Sequence, residues 1–369
     1  MPDGPGAPPT QSWVRRALGP TRSRTLYGAI DLGTNNCRLL VAEPSQGGFR
    51  VVDAFSRIVR LGEGLGASGR LSDAAMTRTM DAVAICAEKL KRKGVTRIRS
   101  VATQACRIAS NGGDFLSRVR ATTGLRFDII TPKEEARLAV LGCAGLVASD
   151  APAALVVDIG GGSTELSWVT PDRYPDGRVR TPRIQAWTSL PIGVVTLAER
   201  FPEEGDRAEW YQGMVDHVRQ AVDSFADAER LRALFSHKNA HMIGTSGTVT
   251  SLAGVHLGLP RYRRDVVDSM WIGRDETLAV IRRLSVLDPA GRALEPCIGN
   301  ERADLVLAGA AILEAIMHAW PSDRLRVADR GLREGLLLTL MAQNRNRRRN
   351  SGRHREPAPA NSSRKAVTQ

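Results

Sequence analysis

Residues 71–92 repeat apolar and charged positions with the period of an amphipathic helix. Alanine, methionine, valine, isoleucine and leucine recur on one face, arginine, lysine and glutamate occupy the other, and Ser72 is suited to cap the first turn. Apolar runs typical of strands flank this segment within 26–70, at 97–102 and at 125–130. Strands that alternate with helices predict an α/β fold with a largely parallel or mixed sheet.

The apolar run with the strongest chemical signal covers 155–159 and leads into a loop of small residues. Glycines follow at 160–162, and then Ser163, Thr164 and Glu165 precede a second apolar strand. Glycine allows backbone N–H groups to approach an anion closely, and the two hydroxyls add donors. Taken alone, this loop is equally typical of a structural hairpin.

Two further segments share this order of an apolar strand followed by glycine and hydroxyl residues. Residues 26–41 place an Asp-Leu-Gly-Thr-Asn-Asn segment between two strands, and residues 241–248 place a Gly-Thr-Ser-Gly-Thr loop after a short apolar run. The repetition predicts two related α/β halves that face each other across a phosphate-binding cleft. The candidate phosphate-binding residues are Asp31, Gly33, Thr34, Asn35, Asn36, Gly160, Gly161, Gly162, Ser163, Thr164, Gly244, Ser246 and Gly247.

Acidic side chains beside these loops indicate how the cleft could act on phosphates. Asp158 and Glu165 are hard oxygen ligands of the kind that Mg²⁺ or Mn²⁺ uses next to phosphate groups. Thr131 begins a helix, and a capping box predicts that the Glu134 carboxylate folds back onto the helix terminus. Glu135 projects about 100° further around the helix, so it is the candidate general base for a water molecule. The alternative is that both glutamates only interact with the helix dipole.

The chain of 369 residues is long enough for two domains, and its net charge of +13 is concentrated at its two ends. Residues 1–25 carry four arginines and one aspartate, and residues 344–369 carry eight basic residues and one glutamate. Both ends are rich in proline, glycine, serine and asparagine, so we expect disordered basic tails that bind polyanions weakly and without specificity. The domains are predicted at 26–138 and 139–343, where a net charge of about +3 leaves no continuous basic track.

The sequence carries no signal for a membrane or for disulfide bonds. Prolines occupy the N-terminal segment where a signal peptide needs an apolar core, and no apolar run has the length of a membrane span. The five cysteines form no Cys-x-x-Cys pair, which favours reduced thiols in the cytoplasm. We therefore expect a cytoplasmic protein with no membrane partner.

Taken together, the motifs resemble those of the exopolyphosphatase/guanosine pentaphosphate phosphatase (Ppx/GppA) family, which belongs to the actin/Hsp70/sugar-kinase superfold. The resemblance covers roughly residues 26–342. The segments that carry it are 29–35, 101–103 with Arg107, 134–138, 157–166, 244–248 and 328–335. The resemblance implies two actin-like (ribonuclease H-like) domains that face each other across the cleft.

The resemblance also implies a chemistry for individual residues. Glu135 corresponds to the family's catalytic glutamate, Arg107 to its phosphate-binding arginine, and Asp158 and Glu165 to its metal-associated carboxylates. Asn36 departs from the family, in which many members have serine at this position. The implied activity is Mg²⁺- or Mn²⁺-dependent release of terminal phosphate from polyphosphate. Guanosine pentaphosphate is the alternative substrate, and a homodimer is an open alternative for the assembly.

Two other functional classes stay open from the residues alone. A kinase or ATPase of the same superfold would transfer phosphate to an acceptor, and a non-catalytic regulator would bind polyphosphate or a nucleotide without a catalytic glutamate. Long family members carry an additional helical domain after the position of residue 343, so we expect distributive cleavage of polyphosphate here. Arg330 and Arg333 could face the cleft, but the solvated start of the last helix is their expected position.

Overall fold

The computed structural model describes residues 25–46, 48–172, 182–235 and 239–353, with Leu234 and residues 346–353 described by their backbone alone. The predicted disordered tails cover residues 1–25 and 344–369. Of these, residues 1–24 and 354–369 lie outside the described part of the chain. In the part of the chain that is described, no helix combines the length and the apolar content needed to cross a lipid bilayer.

The first sheet has five strands in the order β3-β2-β1-β4-β5. Its strands are β1 (Tyr27–Leu32), β2 (Asn36–Ser45), β3 (Gly48–Ile58), β4 (Arg97–Ala102) and β5 (Phe127–Ile129). Strands β1, β2 and β3 pair antiparallel, whereas β4 pairs parallel with both β1 and β5. The helices that follow in this half are α1 (Leu65–Ser68), α2 (Asp73–Arg92), α3 (Gln104–Ile108) and α4 (Gly112–Thr123). Ser72 caps α2 as predicted, because its side chain accepts a hydrogen bond from the N–H of Ala75.

The second sheet has six strands and repeats the plan of the first. Its strands are β6 (Ala154–Ile159), β7 (Thr164–Thr170), β8 (Arg183–Leu190), β9 (His241–Thr245), β10 (Trp271–Gly273) and β11 (Arg324–Ala328). Their order is β10-β11-β9-β6-β7-β8, so β8-β7-β6-β9-β11 matches the first sheet strand for strand and β10 is added at the edge. The predicted internal repeat and mixed α/β fold are therefore confirmed.

Helices cover both sheets and connect them. They are α5 (Pro132–Cys143), α6 (Val194–Arg200), α7 (Arg207–Asp223), α8 (Ala228–Phe235), α9 (Ser246–His256), α10 (Arg264–Val267), α11 (Arg274–Ser285), α12 (Pro289–Ala293), α13 (Val306–Ala319) and α14 (Leu332–Arg353). The largest apolar cluster lies in the second half, where α13 is buried along most of its length.

Helices α5 and α14 join the two halves, and their packing differs from the predicted domain boundaries. Leu138 of α5 and Leu336 of α14 lie in the apolar cluster over the first sheet, while Val140 of α5 packs against the second sheet. The predicted boundary at 138 therefore falls inside a helix. The last helix also packs on the first sheet and continues to Arg353, so its last ten residues, 344–353, fall within the predicted tail.

The backbones of α5 and α14 approach closely at two glycines. A Cβ atom at Gly142 would lie 1.9 Å from the carbonyl oxygen of Gly331, and one at Gly335 would lie 2.1 Å from that of Leu138. Because backbone atoms cannot move aside as a flexible side chain can, each position requires glycine. The two helices can therefore cross at this short distance only because both positions lack a side chain.

We predict that Gly335→Ala destabilises the protein, because its new methyl group must push α14 away from α5. The free energy of unfolding should fall by about 1–3 kcal/mol, the usual cost of overpacking. Gly145→Ala is the matched control, since a Cβ there meets nothing within 4 Å. Urea denaturation measures both variants, and equal effects of the two substitutions would contradict the assigned role of the crossing.

Candidate active site

A cleft opens where the carboxyl ends of the strands in the two sheets face each other. The β1–β2 and β6–β7 loops, the residues after β4, β9 and β11, and the first turn of α5 all reach it. This is the position at which ligands bind in α/β folds, because loops and helix N-termini meet there. The cleft is lined by Asp31, Gly33, Thr34, Asn35, Asn36, Arg38, Thr103, Gln104, Glu135, Asp158, Gly160, Gly161, Gly162, Ser163, Glu165, Thr245, Ser246, Ala328, Asp329, Arg330, Gly331, Leu332, Arg333 and Glu334.

Most of the residues predicted to bind phosphate come together in this cleft, and three lie elsewhere. Gly247 lines an adjoining cavity together with Arg38. Thr164 is buried behind its loop, where its hydroxyl donates to the carbonyl oxygen of Ile192 at 2.7 Å. Gly244 lies inside β9, with its Cα facing the side chain of Val249. Thr164 and Gly244 therefore pack behind the loops and do not line the cleft.

The two glycine loops face each other at backbone distance. A Cβ atom at Gly161 would lie 2.8 Å from the backbone nitrogen of Asn35, and one at Gly162 would lie 2.0 Å from Oε1 of Gln104. Within the loops, the Gly33 N–H donates to the carbonyl oxygen of Asn36 and the Gly160 N–H to that of Ser163, both at 2.9 Å. Bare backbone consequently forms the cleft walls on both sides, as the sequence predicted.

Four acidic side chains that repel one another converge in the cleft, where Glu135 and Glu165 are buried and Asp31 and Asp158 are half-buried. Burial raises the pKa of Asp31, and burial together with the charge of Asp31 raises the pKa of Asp158 to about 6. Burial and the charge of Asp158 raise the pKa of Glu165 to about 7, even though Ser163 and Ser189 each donate to its Oε1 at 2.8 Å. The carboxylates of this site therefore repel one another when they are ionised.

Glu135 lies in the first turn of α5 and is desolvated. It is 9% exposed, and burial followed by the charge of Glu165 raises its pKa well above the usual glutamate range. Arg107 opposes this rise, because its Nη1 lies 3.4 Å from Oε2 of Glu135. The same Nη1 donates to the carbonyl oxygen of Ile130 at 2.7 Å, so Arg107 is held beside the glutamate.

The neighbouring Glu134 has a different environment. The predicted cap at Thr131 is present, but the predicted position of the Glu134 carboxylate is wrong. The side chain of Thr131 accepts from the N–H of Glu134 at 3.2 Å, which confirms the predicted helix cap. The Glu134 carboxylate, however, pairs with Arg137 at 2.7 Å and with Arg99 at 3.4 Å, and does not fold back onto the terminus. The hydrogen bond from Arg137 lowers the pKa of Glu134. Of the two adjacent glutamates, Glu134 is therefore ionised and partly exposed, whereas Glu135 is desolvated.

Several cleft residues were not identified from the sequence. Arg38 lies on β2 two residues after Asn36, and burial followed by the charge of Arg333 lowers its pKa. The alternation of a strand places positions 36 and 38 on one face, which is the signal that could have found it. The expectation of a solvated helix start was wrong for Arg330 and Arg333, since both line the cleft and Arg330 forms an ion pair with Asp268.

The polar atoms of the cleft fit a hard divalent cation. The side-chain carbonyl oxygens of Asn36 and Gln104 are buried and lack a hydrogen-bond partner within the described residues, so they can accept from metal-bound water. The described chain contains no group of three His, Cys, Asp or Glu side chains placed to hold a metal ion. Mg²⁺ is usually held by one or two carboxylates together with water and substrate phosphates.

Comparison with known proteins gives a consistent family. The sequence pattern of the Ppx/GppA phosphatase family matches residues 40–344. The chain is 30% identical over 322 residues to a guanosine-5'-triphosphate,3'-diphosphate pyrophosphatase of Photobacterium profundum, with 87% of this chain and 60% of the relative covered. The chain thus spans about 60% of the length of this curated relative.

Solved structures extend the comparison to the fold. The Ppx/GppA family member from Aquifex aeolicus is 26% identical, with a TM-score of 0.68 and coverage of 87% of this chain and 98% of its own. An exopolyphosphatase from Cytophaga hutchinsonii has a TM-score of 0.76 at 22% identity, covers 86% of this chain and 98% of its own, and shows the fold alone. With its two matching sheets and the family pattern across most of its length, the chain belongs to the Ppx/GppA phosphatase family and has the actin-like two-domain fold.

Proposed function

We propose that the chain hydrolyses phosphoanhydride bonds and releases terminal phosphate from inorganic polyphosphate, with Glu135 as the general base. One observation carries the proposal: a desolvated glutamate at the start of α5 faces a cleft with walls of bare backbone amides. Family membership supports phosphatase chemistry. The arrangement supplies both a proton acceptor and donors for phosphate oxygens.

The chemistry requires a positioned water and compensation for several negative oxygens. Glu135 is suited to accept the proton of the attacking water, because its raised pKa makes it a stronger base than an exposed glutamate. Fixed N–H groups of the two glycine loops can stabilise charge on the transferred phosphoryl group without reorganising. Arg38 and Arg333 add positive charge at the cleft surface. Each requirement of the reaction is thereby met by residues from both halves.

Mg²⁺ or Mn²⁺ is proposed as the cofactor, with Asp158 and Glu165 as the residues that would hold it. Both carboxylates line the cleft, and the hydroxyl of Ser246, which follows the neighbouring strand β9, hydrogen-bonds Asp158. When bound, the ion would neutralise negative charge on the phosphate oxygens. The buried oxygens of Asn36 and Gln104 would accept hydrogen bonds from its water ligands.

Guanosine pentaphosphate is the second candidate substrate, and two observations favour it. The Photobacterium relative is named for activity on this class of nucleotide. A second cavity, with an empty volume of about 500 Å³, adjoins the cleft and is lined by Arg38, Ser251 and Arg302 among others. It offers space and positive charge for substrate groups beyond the terminal phosphate.

The deciding experiment measures phosphate release from polyphosphate and from guanosine pentaphosphate on one preparation with Mg²⁺. The ratio of the two kcat/KM values assigns the preferred substrate. Nucleotide-dependent transfer to an acceptor would instead indicate a kinase. Tight binding of either ligand without any release would indicate a non-catalytic regulator.

We predict that Glu135→Gln reduces kcat by about 10²–10⁴, the usual contribution of a positioned general base. The glutamine removes a repelled charge from the acidic cluster, so the folded protein should remain stable in thermal unfolding. Glu134→Gln is the control, because that carboxylate points outward to Arg137 and Arg99. A larger loss in the control than in Glu135→Gln would reverse the assignment.

Removing Arg107 should change the pH profile. The guanidinium lowers the pKa of Glu135, so in Arg107→Met that pKa rises further. A base acts only when it is deprotonated, and the acidic limb of kcat/KM should therefore move to higher pH. Arg137→Met, which removes the partner of Glu134, serves as control and should leave the limb in place. A limb that stays at the wild-type pH in Arg107→Met argues against Glu135 as the base.

Chelation by EDTA should abolish hydrolysis, and Mg²⁺ should restore it. Asp158→Asn and Glu165→Gln should each weaken Mg²⁺ binding measured by calorimetry, because each removes a charged oxygen ligand. Asp128→Asn, an exposed carboxylate on β5, is the control. Full activity in EDTA, or unchanged Mg²⁺ binding in both variants, would remove the metal from the proposal.

A further inference from the structure

A row of guanidinium groups leads away from the cleft along β11. Arg324 and Arg326 are two residues apart on this strand, so their side chains lie on one face with Cα atoms about 7 Å apart. Arg330 follows after the strand ends and lines the cleft itself. The row therefore begins in the catalytic cleft and continues towards the far end of the second sheet.

Trp271 on the edge strand β10 holds two of these arginines. It is directly opposite Arg326 in the antiparallel pair, and Gly273 is opposite Arg324, so no side chain covers that position. The guanidinium carbon of Arg324 lies 4.5 Å from the centroid of the indole ring, and that of Arg326 lies 4.6 Å away. Stacking on an aromatic ring orients a guanidinium and leaves its N–H edge available to an anion.

The central arginine of the row is the least compensated. Arg324 has Asp150 at 3.7 Å, and Arg330 is paired with Asp268. Within the described residues no carboxylate lies within 4.0 Å of the Arg326 guanidinium, and its Nε is buried without a hydrogen-bond partner. Burial, followed by the charge of Arg330, lowers the pKa of Arg326, yet a guanidinium stays protonated. An anion at this position would relieve the repulsion between the neighbouring guanidinium groups.

We propose that Arg324, Arg326 and Arg330, here called the arginine strip, bind the part of a long inorganic polyphosphate chain that extends out of the cleft. The proposal rests on the polyphosphate hydrolysis proposed above. A linear polyanion matches a row of cations that starts at the reaction site. A nucleic acid would gain most from stacking its bases, but the Trp271 ring already packs against two guanidiniums. The body of the chain thus has a local basic track despite its small net charge.

The test compares short and long substrates in Arg324→Ala/Arg326→Ala. The double variant should raise KM for polyphosphate of several hundred residues about tenfold, and KM for tripolyphosphate by less than twofold, since lost phosphate contacts weaken binding electrostatically. Arg282→Ala, an exposed arginine of α11 in the same half, is the matched control. Thermal unfolding verifies that the double variant is folded, and Arg324→Lys/Arg326→Lys, which keeps both charges, should retain most of the long-chain affinity.

Equilibrium binding of labelled long polyphosphate, measured in the Glu135→Gln background, separates this proposal from the catalytic one. If wild-type protein releases no phosphate but the double variant still loses long-chain binding, the proposed hydrolysis is contradicted and binding by the arginine strip is supported. If binding is unchanged in the double variant, or if KM rises equally for both substrate lengths, the strip is overturned. Displacement of polyphosphate by single-stranded RNA of equal charge at equal affinity would also overturn the assignment to polyphosphate.

Discussion

The backbone contact between α5 and α14 positions both walls of the cleft. Gly142 and Gly335 permit this contact because neither carries a Cβ atom. Helix α5 begins with the turn that presents Glu135, and α14 begins with the turn that presents Arg333. Because the two helices pack tightly at their crossing, their first turns are held at fixed positions relative to each other in the cleft. This packing constraint, which begins at the cleft-lining Gly331, thereby sets the distance between the Glu135 carboxylate and the Arg333 guanidinium.

The opposite side of the cleft has its own connection, made by an ion pair. Arg60 contacts both carboxylate oxygens of Asp304, at 2.7 and 3.0 Å, and adopts a left-handed backbone conformation with φ of 47°. Its own N–H donates to the carbonyl oxygen of Asn35, and Gly62 donates to that of Thr34. The first phosphate loop is therefore tied through residues 60–62 to the second half of the molecule.

What could be predicted from the sequence was local. The glycine loops, the strand pattern and the cap at Thr131 depend on residues a few positions apart, and the structure has all of them. The packing of α14 on the first sheet could not be read in this way, because Asn344 donates to the hydroxyl of Tyr27 across 317 positions of the chain. Arg330 was misplaced for the same reason, since Asp268 comes from a different element. Gly244 shows the opposite error, in which a motif glycine serves the packing of a strand.

The cleft must reconcile a negatively charged substrate with a negatively charged site. Asp31, Glu135, Asp158 and Glu165 lie together in the cleft, and their raised pKa values reflect how unfavourable their joint ionisation is. A phosphate chain that entered beside four ionised carboxylates would be repelled at short range. Protonation could remove that repulsion, but a protonated Glu135 could not accept a proton from water. The proposed divalent cation would resolve the conflict, because it would compensate Asp158 and Glu165 and leave Glu135 free to act as a base. The acidity of this cleft is thus an argument for a cation at the second glycine loop.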